Sequence, residues 1–167
     1  MISTKVKQTI LLSLYLLSGI SFGLSICTNR LVFSLFGIPF VLLIVSTLHE
    51  LGHAFGCTIN NNKITGIRTA LFTFQNRNFS VNERLTFGGY CTFIKSEHDA
   101  LVYLCGPLAS LLCFFACLVW WLYAKPDHTA LVCTVITGLH VLKNSLPHGK
   151  NDLNLFRKEL TKGDPHV

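Results

Sequence analysis

The sequence predicts an all-α polytopic membrane protein with about four transmembrane helices and a small membrane-associated β-hairpin between the second and third. Half of its 167 residues are hydrophobic and only 13% are charged, too few to cover the surface of a soluble domain. Four long apolar runs divide the chain, and a transmembrane helix needs roughly 20 such residues. The length suits one integral-membrane domain, 1–167.

The first predicted helix, 8–27, contains no charged residue and follows Lys5 and Lys7. A basic start before an apolar run also suits a secretory signal peptide. No A-x-A-like cleavage site follows, however, and Ile26 is too bulky for the lipoprotein cleavage box that LSIC suggests. The pattern therefore favours a retained membrane helix.

The second predicted helix, 31–55, is uncharged until the sequence HELGH begins at His49. The third, 100–124, contains the apolar run LVYLCGPLASLLCFFACLVWWLYA. The fourth, 129–146, is weaker because it contains His140 and Lys143. A fourth membrane helix would therefore need protein neighbours that shield these two side chains from lipid.

The hairpin loop, 56–99, contains two segments rich in Thr, Phe and Ile that predict short strands, TGIRTALFTFQ and ERLTFGGYCTFI. NRNFSVNE between them is typical of a turn or loop. Such a hairpin can cover a membrane site, or its exposed edge can bind an extended peptide. The sequence leaves both uses open. The charged segment 153–167 predicts a short cytoplasmic tail.

Lysine and arginine are enriched on the cytoplasmic side of membrane proteins. The connection between the first two helices contains Arg30 alone, and that between the last two contains Lys125 alone. The connection between the second and third helices is richer: Lys63, Arg68, Arg77, Arg84 and Lys95. This alternation places both termini and the hairpin in the cytoplasm. It explains the net charge of +6 without a nucleic-acid partner, and the lipid bilayer is the expected surrounding.

HELGH places three polar side chains at membrane depth, where such groups are costly and usually functional. Residues four apart lie on the same face of a helix, so His49 and His53 can bind one metal ion together. Glu50 can reach a metal-bound water, and this is the arrangement of zinc hydrolases. The pattern predicts one Zn2+ per chain, with Glu50 as the general base.

A catalytic zinc site needs a third protein ligand and one open position. The residues themselves leave several candidates, which the predicted topology brings to the same membrane face: Glu83, Glu97, His140, His148 and Asp152. His148 lies between Pro147 and Gly149, which argue against a continuous helix there and favour a loop histidine.

Four landmarks, in this order, resemble the site-2 protease family of intramembrane zinc metalloproteases. HELGH ends the stretch VSTLHELGH, 45–53. FGGYCTF, 87–93, is similar to the family's GGY stretch in a substrate-holding β-hairpin. CGPLAS, 105–110, is similar to a GPxxN pattern that opens the next helix. Asn144, Pro147 and Asp152 match the spacing of NxxPxxxxDG. The resemblance covers about 45–153, most of the chain.

This resemblance implies that His49, His53 and Asp152 bind the zinc ion and that Glu50 is catalytic. It also implies a substrate-binding group, formed by Asn144, Gly88, Gly89 and Tyr90. Two residues depart from the family pattern. Ser110 replaces the usual Asn, which we expect to cost at most a hydrogen bond between helices. Leu153 replaces the usual Gly and could shift Asp152.

The expected function is hydrolysis of a peptide bond within or beside a transmembrane helix of a membrane-bound protein or peptide. The chain would be a multi-pass protein of a bacterial cytoplasmic membrane, since its compact four-helix plan is typical of bacteria. One alternative is a weak or inactive pseudoprotease that binds membrane helices. Another is an ion transporter, but that would spread ionisable residues along the helices rather than gather them at one end.

Overall fold

The computed structural model describes residues 3–75, 78–82, 89–94, 99–124, 127–146 and 151–161. These residues are mostly helical, and they also form one small antiparallel sheet. The helices are α1 Thr4–Thr28, α2 Leu31–Phe36, α3 Ile38–Ile59, α4 Ala100–Tyr123, α5 His128–Ser145 and α6 Asp152–Thr161. The strands are β1 Ile64–Arg68, β2 Phe72–Gln75, β3 Asn78–Val81 and β4 Tyr90–Phe93.

Within the described residues, three helices are long and apolar enough to cross a membrane: α1, α3 and α4. They correspond to the first three predicted membrane helices. The fourth predicted helix, 129–146, is present as α5, but α5 is not among the three helices that qualify. Its polar residues, including Lys143 in its last turn, make it less apolar than the others.

The predicted helix 31–55 is two helices rather than one. It is interrupted at Gly37, between α2 and α3. Pro39 lies in the first turn of α3, where its missing amide hydrogen costs nothing, so the chain begins a new helix there. α3 then continues to Ile59, four residues beyond the predicted end, and carries HELGH in its second half.

The predicted hairpin is a four-stranded sheet with the order β3-β2-β1-β4. TGIRTALFTFQ forms two strands because it turns at Thr69, whose amide donates to the carbonyl of Phe72 (2.8 Å). The prediction of a loop for NRNFSVNE is wrong at Asn78–Val81, because these residues form β3 and pair with β2. Of ERLTFGGYCTFI, β4 is a strand and 83–88 lie outside the described residues.

The turn between β1 and β2 anchors the sheet to the helices. Ala70 and Leu71 are buried against Leu11 and Tyr15 of α1. The side-chain amide of Gln8 donates to the carbonyl of Val81 (2.8 Å), at the end of β3. At the other side of β1, the edge strand β4 lies beside α3.

Glycines allow α3 and α4 to pack with their backbones in contact. A Cβ atom on Gly52 would lie 2.5 Å from the carbonyl oxygen of Cys105, and one on Gly56 would lie 2.8 Å from the Cα atom of Val102. Small residues four apart bring membrane helices close together in this way. The contacts move backwards along α4 as α3 advances, so the two helices are antiparallel.

This packing predicts that Gly52→Ala destabilises the protein. The added methyl group would meet backbone and force α3 and α4 apart, which costs about 1–3 kcal/mol for an overpacked core. Thermal unfolding in mild detergent measures the effect. Gly23→Ala on α1 is the matched control, because nothing lies within 4 Å of its Cβ position, and the exchange should stabilise the helix by about 0.5–1 kcal/mol. Equal melting temperatures for the two variants would contradict the close packing.

Candidate metal centre

His49 and His53 face the same point from one side of α3. They lie one helical turn apart, and both are buried. Their Nε2 atoms are 3.2 Å apart, and their rings meet edge to face. The predicted pairing of these two histidines on one helix face is therefore present in the structure.

Asp152 brings a carboxylate to the same point from the opposite end of the sequence. It is the first residue of α6, and its Oδ2 atom lies 3.0 Å from Nε2 of His49 and 3.4 Å from Nε2 of His53. Burial by itself would raise the pKa of Asp152, but hydrogen bonds and charge from the two histidines, in the state in which they carry a proton on Nε2, hold the pKa of this carboxyl below its usual range. Asp152 is thus ionised at neutral pH, as a metal ligand must be.

The three ligand atoms have the spacing that a metal ion requires. Zinc bonds of about 2.0–2.2 Å in tetrahedral geometry place ligand atoms roughly 3.3 Å apart, and the observed separations are 3.0–3.4 Å. Among the described residues, His49, His53 and Asp152 form the group of potential metal ligands whose ligand atoms lie close to one another. Two nitrogens and a carboxylate suit zinc but also other transition metals, so the geometry supports a metal site without naming the ion.

α4 holds the two histidine rings in place. The Nδ1 atom of His53 donates to the carbonyl of Val102 (2.7 Å), so a neutral His53 presents the lone pair of Nε2 to the metal position. Gly106 leaves room for this ring, since a Cβ atom there would lie 2.3 Å from Nε2 of His53. The Nδ1 atom of His49 lies 2.8 Å from Oγ of Ser110. These contacts with α4 were not predicted from the sequence.

The Ser110 contact revises one expectation. We expected the serine to affect at most a hydrogen bond between helices, yet its hydroxyl contacts a histidine of the metal group. The sequence offers two signals for this contact: a polar residue within an apolar helix, which usually contacts the functional site, and the position of Ser110 in the GPxxN-like landmark. Leu153, the second departure, is half-buried in the first turn of α6, directly after Asp152.

Glu50 points into the same pocket. It is 4% exposed, and its Oε2 atom has no hydrogen-bond partner among the described residues. Gly89 approaches it so closely that a Cβ atom there would lie 2.7 Å from Cγ and 2.9 Å from Oε1 of Glu50. A buried carboxylate oxygen without a partner is costly unless a bound molecule supplies one.

A cavity of about 440 Å³ joins these groups. Three of the four predicted substrate-binding residues line it: Asn144, Gly89 and Tyr90. The fourth, Gly88, lies outside the described residues, as do the alternative ligands Glu83, Glu97 and His148. His140 lines the cavity too, but it contacts Ser110 and Asn144 rather than the point where the three ligand atoms meet.

Cysteines near this cavity do not join the metal group. Burial, together with the neighbouring Cys57 and Glu50, raises the pKa of the Cys91 thiol to about 12. A metal-binding cysteine must lose its proton. Cys57 is completely buried and lies outside the converging group.

No family model, curated protein or solved structure matches the chain. The assignment of a function therefore depends on the geometry of this site and on the sequence landmarks.

The geometry predicts that Asp152→Ala loses most of its bound metal. Wild-type protein purified in mild detergent should contain one metal ion per chain by inductively coupled plasma mass spectrometry. Removing one of three ligands should weaken binding more than the 10–100-fold typical of outer contacts.

Asp127→Ala is the matched control for this experiment. Asp127 accepts hydrogen bonds from the amides of Thr129 and Ala130 at the start of α5, roughly 20 Å along that helix from His140. Its loss should weaken the helix cap and leave the metal content unchanged. Equal metal content in wild type and Asp152→Ala would exclude Asp152 as a ligand.

Proposed function

We propose that this chain is an intramembrane zinc metalloprotease similar to the site-2 protease family. It hydrolyses a peptide bond within or beside a transmembrane helix of a membrane-bound protein or peptide. The observation that carries this proposal is the arrangement of His49, His53, Asp152 and Glu50 around one cavity in a chain with three apolar helices. A pseudoprotease would have no use for a buried Glu50.

His49 and His53, through Nε2, and Asp152, through a carboxylate oxygen, would hold one Zn2+ ion. When bound, zinc polarises the scissile carbonyl and lowers the pKa of a bound water to about 7. The α4 contacts orient the two imidazoles before substrate arrives, and burial excludes competing solvent from the ligands.

Glu50 acts as the general base and then as the general acid. Its unpartnered Oε2 atom takes a proton from the attacking water and later passes it to the leaving amine. The carboxylate is adjacent in sequence to His49, on the same helix, so α3 supplies both metal ligands and the base. Because His49, Glu50 and His53 are on one helix, the distance between the two histidine ligands and the carboxylate of Glu50 is fixed.

The substrate binds as an extended strand beside β4. A helix hides its own carbonyl groups in hydrogen bonds, so the scissile segment must first unwind. Among the described strands β4 lies at the edge of the sheet, and Gly89 and Tyr90 line the cavity. Backbone pairing with such an edge holds an extended peptide with little demand on its sequence. The side chain of Asn144 lies within reach of the same cavity.

In this proposal α5 is the fourth membrane helix. Of the polar residues that weaken it as an isolated span, His140 is buried beside His49 and Ser110, whereas Lys143 is exposed in the last turn. The distribution of lysine and arginine supports an orientation with both termini and the sheet on the cytoplasmic side, and the membrane in this proposal is a bacterial cytoplasmic membrane. The site lies at that face, so the path for water is short.

We predict that Glu50→Gln keeps its metal and loses cleavage by about 10²–10⁴-fold, because the amide cannot accept the proton. The assay uses liposomes that contain the enzyme and single-span reporter proteins whose helices carry helix-destabilising residues near the cytoplasmic face. Mass spectrometry identifies the released fragments. Glu159→Gln on α6 is the matched control and should cleave normally. Wild-type rates for Glu50→Gln would exclude this mechanism, and a metal-loaded wild type that cleaves nothing would favour the pseudoprotease.

We also predict that Gly89→Ala impairs cleavage without removing the metal. Its methyl group would displace either the start of β4 or the carboxylate of Glu50, and a misplacement of about 1 Å costs on the order of 10²-fold in rate. Gly23→Ala, which has open space around its Cβ position, controls for the exchange itself. An unchanged kcat/KM for Gly89→Ala would show that the close approach of Gly89 to Glu50 is not needed for cleavage.

A further inference from the structure

A series of hydrogen bonds connects the candidate metal site, formed by His49, His53 and Asp152, to α4 and α5. Oγ of Ser110 on α4 lies 2.8 Å from Nδ1 of His49 and 3.3 Å from Nδ1 of His140 on α5. The side-chain amide nitrogen of Asn144 lies 3.2 Å from the same Nδ1 atom of His140. Ser110 is completely buried and His140 is 7% exposed.

The chemistry of these groups determines which atom donates and which accepts in each of these hydrogen bonds. The amide nitrogen of Asn144 can only donate, so Nδ1 of His140 is an acceptor without a proton. The hydroxyl of Ser110 then donates to that same nitrogen (3.3 Å), whose single lone pair it shares with the amide of Asn144 (3.2 Å). Since the hydroxyl proton of Ser110 is committed to His140, its lone pair accepts from Nδ1–H of His49.

We propose that Ser110 and His140 are positioning residues of the metal centre. Together they hold His49 as the tautomer that carries its proton on Nδ1, with the lone pair of Nε2 aimed at the metal. His53 obtains the same tautomer from a backbone carbonyl, which can only accept. A serine hydroxyl can either donate to or accept from His49. Because the hydroxyl of Ser110 donates to His140, it is left to accept from His49. This inference rests on the proposed metal centre but not on proteolysis.

The burial of these groups argues for such a use. A hydroxyl and an imidazole inside an apolar helix pair cost free energy unless their hydrogen bonds are satisfied. The ring of His140 also packs edge-on against the ring of His49, with the centroids 5.5 Å apart. His140 therefore fixes both the donor direction of Ser110 and the plane of the His49 ring.

The test measures metal affinity in detergent by competition with a chromophoric zinc chelator. Ser110→Ala should raise the dissociation constant for zinc about 10–100-fold, the range typical of lost outer contacts. Ser110→Thr keeps the hydroxyl and should restore most of the affinity. His140→Phe keeps a ring but removes the acceptor, and it should weaken zinc binding in the same direction. The absorption spectrum of the Co2+-loaded protein should change in Ser110→Ala and return towards the wild type in Ser110→Thr.

Ser18→Ala is the matched control. Ser18 is a buried serine that donates to the carbonyl of Phe36 (2.9 Å) and accepts from the amide of Phe40 (3.0 Å), near the start of α3. Its loss removes a buried hydroxyl of the same size far from the metal group. Zinc affinity should stay at the wild-type value, even if the melting temperature falls.

The outcomes separate this inference from the proposed function. Zinc affinity in Ser110→Ala equal to that of wild type overturns the positioning role, whether or not the enzyme cleaves. Equal losses of affinity in Ser110→Ala and Ser18→Ala overturn it too, because general destabilisation then explains both. If Ser110→Ala does not fold, His140→Phe decides by the same criterion. Weakened zinc binding in the Ser110 and His140 variants of a protein that cleaves nothing supports the positioning role and contradicts the protease.

Discussion

The convergence of His49, His53 and Asp152 is the interaction on which the rest of the structure depends. Buried nitrogens and a carboxylate oxygen at 3.0–3.4 Å from one another are expensive inside an apolar helix bundle. A bound cation would satisfy all three groups at once. It would also join α3 to α6, because His49 and Asp152 are 103 residues apart in the sequence.

The neighbouring elements are arranged around this point. Val102, Gly106 and Ser110 follow one another at every fourth residue along α4, and they contact the two histidines of α3. Gly52 and Gly56 on α3 bring the two helices close enough for those contacts. The sheet is anchored on α1, and Gly89 at the start of β4 lies against Glu50. The same close packing thus sets the geometry of the candidate metal site and the approach to Glu50.

The sequence predicted the parts of this arrangement that depend on local periodicity. The spacing of His49 and His53, the three long apolar helices and a β element after HELGH follow from short-range patterns. The break at Gly37 was missed although Pro39 is a local signal for it, because both residues lie within a continuous apolar run. The strand at Asn78–Val81 did not follow from local patterns, because its pairing with β2 overrides the turn signals of that segment. The roles of Ser110 and Val102 depend on the register between two helices, which no single segment encodes. Asp152 was assigned only through the resemblance, since its approach depends on how α6 docks.

X-ray absorption spectroscopy at the zinc edge tests the central claim most directly. The purified, zinc-loaded protein should show two imidazole nitrogens at about 2.0–2.1 Å and oxygen ligands at about 2.0–2.2 Å. No sulfur should appear, because Cys57 and Cys91 lie outside the converging group. A sulfur shell near 2.3 Å, the distance of a thiolate, or a single imidazole would contradict the His49, His53 and Asp152 site.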